Sequence, residues 1–133
     1  MSIPLPLAVK ALFEGKNFAH VATLMSDGSP QVSVVWIDVE GDRIIVNTAE
    51  RRAKPRNVRR DPRVAISITD QQDPYRAAFI RGRVVEITNE GAEAHIDKLS
   101  MKYRGIDLYQ DHHPDRPRVL FYIEADHIRE MGL

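Results

Sequence analysis

The sequence contains no cysteine, which excludes disulfide frameworks, thiol nucleophiles and thiolate-ligated zinc or iron–sulfur clusters. It has no charge bias either. Nineteen basic residues meet nineteen acidic ones, so no global field draws the chain to nucleic acid or to an anionic membrane, and any anion site must come from local clustering. No apolar run approaches the roughly 20 residues of a bilayer-spanning helix. The opening Met1-Ser2-Ile3-Pro4 lacks the basic flank and apolar core of a secretory signal, so a cytoplasmic location and no membrane partner are expected. Internal repeats and low-complexity segments are missing. So are glycine-rich phosphate loops, since Gly82 and Gly105 stand alone, and no Ser-His-Asp order can be assembled.

What is present is an ordinary globular composition, 43% hydrophobic, in a chain of 133 residues, enough for one core and too short for two. Residues 1–133 are therefore expected to form a single domain. Leu5, Ala8, Val9, Leu12 and Phe13 recur at helical spacing behind Pro6, giving a short amphipathic helix that ends near Gly15. Residues 18–25 and 31–39 are β-branched and aromatic, with the turn Ser26-Asp27-Gly28-Ser29 between them; Glu40-Gly41-Asp42 leads into a third strand over 43–48. Those three strands read as an antiparallel meander. Alternation resumes at Val64, Ile66 and Ile68 and continues in a long strand over 76–88. Asn89 then reads as the N-cap of a helix with Ala92, Ile96, Leu99 and Tyr103 on its buried stripe, ended by Gly105. A polar loop over 106–117 precedes strand segments at 118–124 and 127–131. Six or seven strands joined mainly by hairpins, with three helical pieces, predict a mainly β antiparallel barrel.

The strongest chemical signal lies between the third strand and the residues after it. Arg51, Arg52, Lys54, Arg56, Arg59, Arg60 and Arg63 place seven cations within thirteen positions, where a strand ends and a short helix with Pro55 in its first turn begins. Free backbone N–H groups, the positive end of a helix dipole and guanidinium forks make such a junction suited to phosphate. A solvated basic helix is the bland alternative on charge alone.

Three segments, Gly28-Ser29-Pro30-Gln31-Val32-Ser33-Val34-Val35-Trp36, Arg52-Ala53-Lys54-x-Arg56-Asn57 ending at Asp61-Pro62, and Lys102-Tyr103-x-Gly105, stand in the order and spacing of the pyridoxamine 5′-phosphate oxidase-like superfamily. From about Phe18 to its end the chain resembles that superfamily, and most closely its deazaflavin (coenzyme F420)-dependent reductases. The resemblance implies a six-stranded, FMN-binding-like split barrel, homodimeric, with each cofactor cleft using residues of both subunits. It also implies that Arg52, Lys54 and Arg56 hold the cofactor phosphate and tail with help from Asn57, that Gln31, Ser33 and Val35 meet the ring, and that Asn47, Thr48 and Ala49 approach the ring or ribityl chain. The expected activity is hydride transfer from reduced coenzyme F420 to a conjugated, electron-poor small molecule. FMN is the alternative cofactor, and a non-enzymatic cofactor or heme carrier the alternative function.

FMN and the deazaflavin differ in the latter's oligoglutamate tail. Charge continuing to Arg59, Arg60 and Arg63 favours the tailed cofactor, unless those arginines are merely solvated. No catalytic acid or base is assigned, because in this chemistry the reactive atom belongs to the cofactor. Trp36 reads as core or interface packing, and Tyr103 as helix-to-barrel packing. Asp111-His112-His113-Pro114-Asp115 invites a metal reading, but adjacent histidines in an extended loop point apart, and no metal is expected. A nucleic-acid module would need exposed aromatics interleaved with the arginines, and these are lacking.

Overall fold

The computed structural model describes residues 2–133, which form three helices and seven strands. In chain order these are α1 (Leu7–Glu14), β1 (Ala19–Leu24), β2 (Pro30–Val35), β3 (Ile37–Glu40), β4 (Arg43–Ala49), α2 (Ala53–Arg60), β5 (Arg63–Asp70), β6 (Asp73–Thr88), α3 (Ala92–Arg104) and β7 (Arg118–Met131). All pairings are antiparallel, in the order β2-β1-β5-β6-β7-β4-β3. The two edge strands, β2 and β3, are separated along the chain by Trp36 alone. The sheet must therefore curl until its edges meet, and the result is a split barrel.

This corrects the expected meander. Residues 31–39 are not one strand between two neighbours: β2 pairs with β1 (Ala19↔Val35) and β3 with β4 (Ile37↔Val46). Val35, Ile37 and Val39 all pack on the barrel core, so the inward face continues through the bend while the partner changes. Counting 30–40 as one bent strand gives the six strands expected; counted by pairing there are seven.

A second correction concerns the last strand. Segments 118–124 and 127–131 are one strand, β7, whose pairing with β6 shifts register between Arg81 and Gly82 and again between Val84 and Glu86. Such bulges bend a strand without ending it. Gly82 makes the first one feasible, because a Cβ there would lie 2.2 Å from the Glu124 carbonyl oxygen.

The core is filled by inward strand residues such as Ile44, Val46, Ile66, Ile80, Phe121 and Ile123, and by Val9, Leu12 and Phe13 of α1. Helix α2 packs on both β1 and β4 and sends Val58 into the same core, so it bridges strands on the two sides of the split. Helix α3 lies on the outer face, where Ala92 meets Ile45 and Leu120 while Ile96, Leu99 and Tyr103 gather with Trp36 and Tyr109. Its N-cap is Gly91 in the left-handed region with no side-chain cap bond, not Asn89, whose carbonyl accepts from the Ala92 N–H at 3.1 Å. The Asn89 amide instead reaches the Arg118 carbonyl at 2.9 Å. No helix among the described residues is long and apolar enough to cross a membrane.

Candidate functional site

The chain leaves β4 at Ala49 and turns into α2 through Arg51, whose φ of 70° is the sole positive value among the described non-glycine residues. A side chain held in this region carries backbone strain, a condition that clusters at ligand-binding turns. The next residue, Arg52, is the extended N-cap of α2 and makes no cap bond with its side chain. Lys54, in the first turn, is half-buried and donates to the Ser33 hydroxyl on β2 at 2.8 Å. Burial, followed by the charges of Arg52 and Arg118, lowers its pKa. No carboxylate among the described residues pairs with Arg52, Lys54 or Arg56. A half-buried ammonium whose one partner is a neutral hydroxyl, with two guanidinium groups in electrostatic range, is a concentration of positive charge that an anion would offset.

The outer arginines differ. Arg59 donates to both carboxylate oxygens of Glu50 (2.8 and 3.0 Å) and Arg63 to both of Asp61 (3.0 and 2.7 Å). Arg60 binds the Leu24 carbonyl at 2.6 Å and the Asn57 side-chain oxygen at 3.1 Å. Arg59 and Arg63 thus have carboxylate partners within the fold while Arg60 meets only neutral acceptors, so the charge free for a ligand is concentrated in Arg51, Arg52, Lys54, Arg56 and Arg60.

The other expected site residues divide. Gln31, Ser33 and Val35 pair with Thr23, Val21 and Ala19 and share their inward face. Ser33 is tied to Lys54, Val35 packs on the core, and Gln31 is exposed. Asn57 is buried as a structural bracket: its amide donates to the Thr23 hydroxyl at 2.9 Å and to the Met25 sulfur at 3.4 Å. Asn47, Thr48 and Ala49 cannot all present side chains to one ring, because strand alternation sends Thr48 to the opposite face from its neighbours. Thr48 Oγ1 is buried without a hydrogen-bond partner.

On the outer side of β4 the structure assembles residues that sequence reading did not connect. Asn47, Val35 and Arg52 line a cleft of about 290 Å³ together with Trp36, Tyr109 and Arg118. Arg118 is 6% exposed; its Nε donates to Asn47 Oδ1 at 2.9 Å and its guanidinium lies 5.1 Å from the Tyr109 ring centre. The Asn47 amide donates to the Ala92 carbonyl at 2.9 Å and lies 3.1 Å from His95 Nδ1, while His95 Nε2 is 2.9 Å from Asp38. Burial pushes the Asp38 carboxyl up, yet hydrogen bonds from His95, the Val39 N–H and Lys98 outweigh it and hold its pKa at about 2.

Lys102-Tyr103 proves to be a clamp. Lys102 donates to the Phe13 and Ile37 carbonyls at 2.7 and 2.8 Å. Tyr103 donates to the Asn17 carbonyl at 2.6 Å, accepts from the Ile37 N–H at 3.1 Å and stacks on Trp36. Burial pushes its hydroxyl up to about 12, which suits a structural hydroxyl rather than an acid at neutral pH. His112 sits between Glu93 (2.6 Å) and Asp97 (2.7 Å), and no cluster of three metal-ligating side chains that could hold an ion occurs among the described residues.

Comparison with known proteins accords with this architecture. A structure described as an F420 reductase superposes with a TM-score of 0.83 at 29% identity, covering 94% of this chain and 98% of that one. A conserved hypothetical protein of Mycobacterium tuberculosis gives 0.74 at 22% identity (98% and 86% covered), and an FAD-binding protein of Mesorhizobium loti 0.65 at 16% (96% and 95% covered). At the latter two identities the likeness shows the fold alone. The family model for pyridoxamine 5′-phosphate oxidase matches residues 5–132, nearly the whole length, and the chain belongs to that family.

Proposed function

We propose that this protein is a homodimeric oxidoreductase that binds coenzyme F420 and passes hydride to a conjugated, electron-poor small molecule. The observation that carries the reading is the cation group at the β4–α2 junction: Arg52, Lys54 and Arg56 without carboxylate partners, beside the free N–H groups of the α2 N-terminus. This donor set fits a phosphate. Lys54 and Arg52 hold it, Ser33 orients Lys54, and the inward face of β2 supplies the wall against which a tricyclic ring lies. When bound, the cofactor supplies the hydride; the protein's own part is binding, orientation and exclusion of water. The relative described as an F420 reductase supports the deazaflavin.

FMN is the second reading, and the internal pairing of Arg59 with Glu50 and of Arg63 with Asp61 favours it, since it leaves only Arg60 and Arg51 beyond the phosphate-holding group for an anionic tail. Fluorescence titration separates the two. Tighter binding of the oligoglutamyl deazaflavin than of FMN, with a preference that shrinks as salt rises, is the expected result. FMN that survives purification, with no deazaflavin affinity, assigns the protein to the flavin reading.

The homodimer is motivated by the outer face of β2-β1-β5-β6-β7. There a groove of about 650 Å³ runs past Ala22, Ala65, Phe79 and Val32, and Val32 and its strand neighbour Val34 are 64% and 59% exposed on an edge strand. Apolar side chains so placed suit a second copy of the chain.

A further inference from the structure

Arg118 is the most deeply buried cation among the described residues, and the phosphate reading does not use it. Its side chain is met by neutral groups: Asn47 Oδ1 at 2.9 Å, the Asn47 carbonyl at 3.3 Å and the face of Tyr109. The nearby carboxylate, Glu93, is taken by His112 and by the backbone N–H of Arg118, and the guanidinium forms no ion pair among the described residues. A buried charge with no direct ion-pair partner is costly, and groups held this way cluster at ligand sites. The Asp38–His95–Asn47 chain underneath fixes the side-chain oxygen that aims Arg118, so the charge is positioned rather than merely tolerated.

The space it serves is polarised. One wall is apolar, formed by Trp36, Tyr109, Val35 and Ile96, with the Tyr109 ring standing edge-on to Trp36 at 6.0 Å. At its rim Arg52 and Arg104 face the single carboxylate Asp111, so three cations with Arg118 oppose one anion. A corner of two aromatic rings with a guanidinium at its end suits aromatic molecules with an acidic end.

We propose that this cleft is a binding site for a planar, conjugated carboxylate, with its ring against Trp36 and Tyr109 and its carboxylate on Arg118. The proposal adds a substrate class to the oxidoreductase reading and rests on it for the fate of the molecule, but not for its binding.

Trp36 is the only tryptophan in the chain and lines the cleft, so its fluorescence reports occupancy directly. Cinnamate and its uncharged isostere cinnamamide are titrated into the protein with no flavin or deazaflavin present. Saturable quenching by cinnamate, at an affinity about tenfold above that of cinnamamide, is expected from one charge-assisted contact. Arg118→Gln, which keeps a donor toward Asn47, should erase the preference while the protein still melts cooperatively. Should that variant fail to fold, Arg52→Gln at the exposed rim should reduce the preference severalfold. Equal affinity for the two probes, absence of saturable quenching, or a preference unchanged in a folded variant overturns the assignment. A protein that takes cinnamate but neither cofactor refutes the oxidoreductase reading and leaves this site standing.

Discussion

Thr48 illustrates how a single residue can separate a structural role from a binding one. Its hydroxyl is buried without a partner one residue beyond Asn47, and an unsatisfied buried hydroxyl costs about 1–3 kcal/mol. Valine has the same shape without that cost. Thr48→Val should therefore raise the stability of the cofactor-free protein by about 1 kcal/mol in urea denaturation. If the hydroxyl is kept for the cofactor, the same variant should bind deazaflavin or FMN more weakly. A variant with lower stability and unaltered binding contradicts both halves. Arg51, in the left-handed region just before Arg52, is another place where a local rule is broken beside the cation group, and such breaks gather at functional positions.

At the scale of elements, residues 105–117 are strapped to α3 by His112. Both ring nitrogens face carboxylates, so the bridge requires both N–H groups, and only the imidazolium has them. Asp97, then Glu93, raise the His112 pKa above its ordinary 6.5. The contribution of the strap is thus complete below 6.5 and fades as pH rises through the higher folded-state value. Amide exchange at Tyr109, whose N–H donates to Asp97 at 2.7 Å, should accelerate beyond its intrinsic pH dependence over that range, and His112→Gln should remove the excess. An excess that persists in the variant assigns the transition to another group. None of this bridge was visible in the sequence, because its carboxylates lie on a different element from its histidine. What sequence did reveal was whatever depends on short range: the helix stripes, the alternation of β5 and β6, the hairpin turns and the run of cations. The bend at Trp36 escaped it, since the inward periodicity of 31–39 is unbroken and only the pairing partner changes. Arg118 escaped for a similar reason, as nothing adjacent in sequence marks a lone arginine at a strand start as buried.

At the scale of the whole molecule, two proposals rest on the curled sheet: a second copy covering its outer face, and an anion seated where α2 bridges the split. The first predicts about twice the chain mass in light scattering. Val32→Glu, which places a carboxylate in the exposed apolar groove, should shift the protein to monomer without unfolding it; a wild-type monomer that still binds cofactor refutes the shared cleft. The second is read out by cofactor affinity in a fluorescence titration of Lys54→Ala, against Arg63→Gln as an exposed control already paired with Asp61. Loss of one charge-assisted phosphate contact should weaken binding by about 1.5–3 kcal/mol in Lys54→Ala, with Arg63→Gln within about 0.5 kcal/mol of wild type. Equal affinities in Lys54→Ala and the wild type, both folded, would contradict the account.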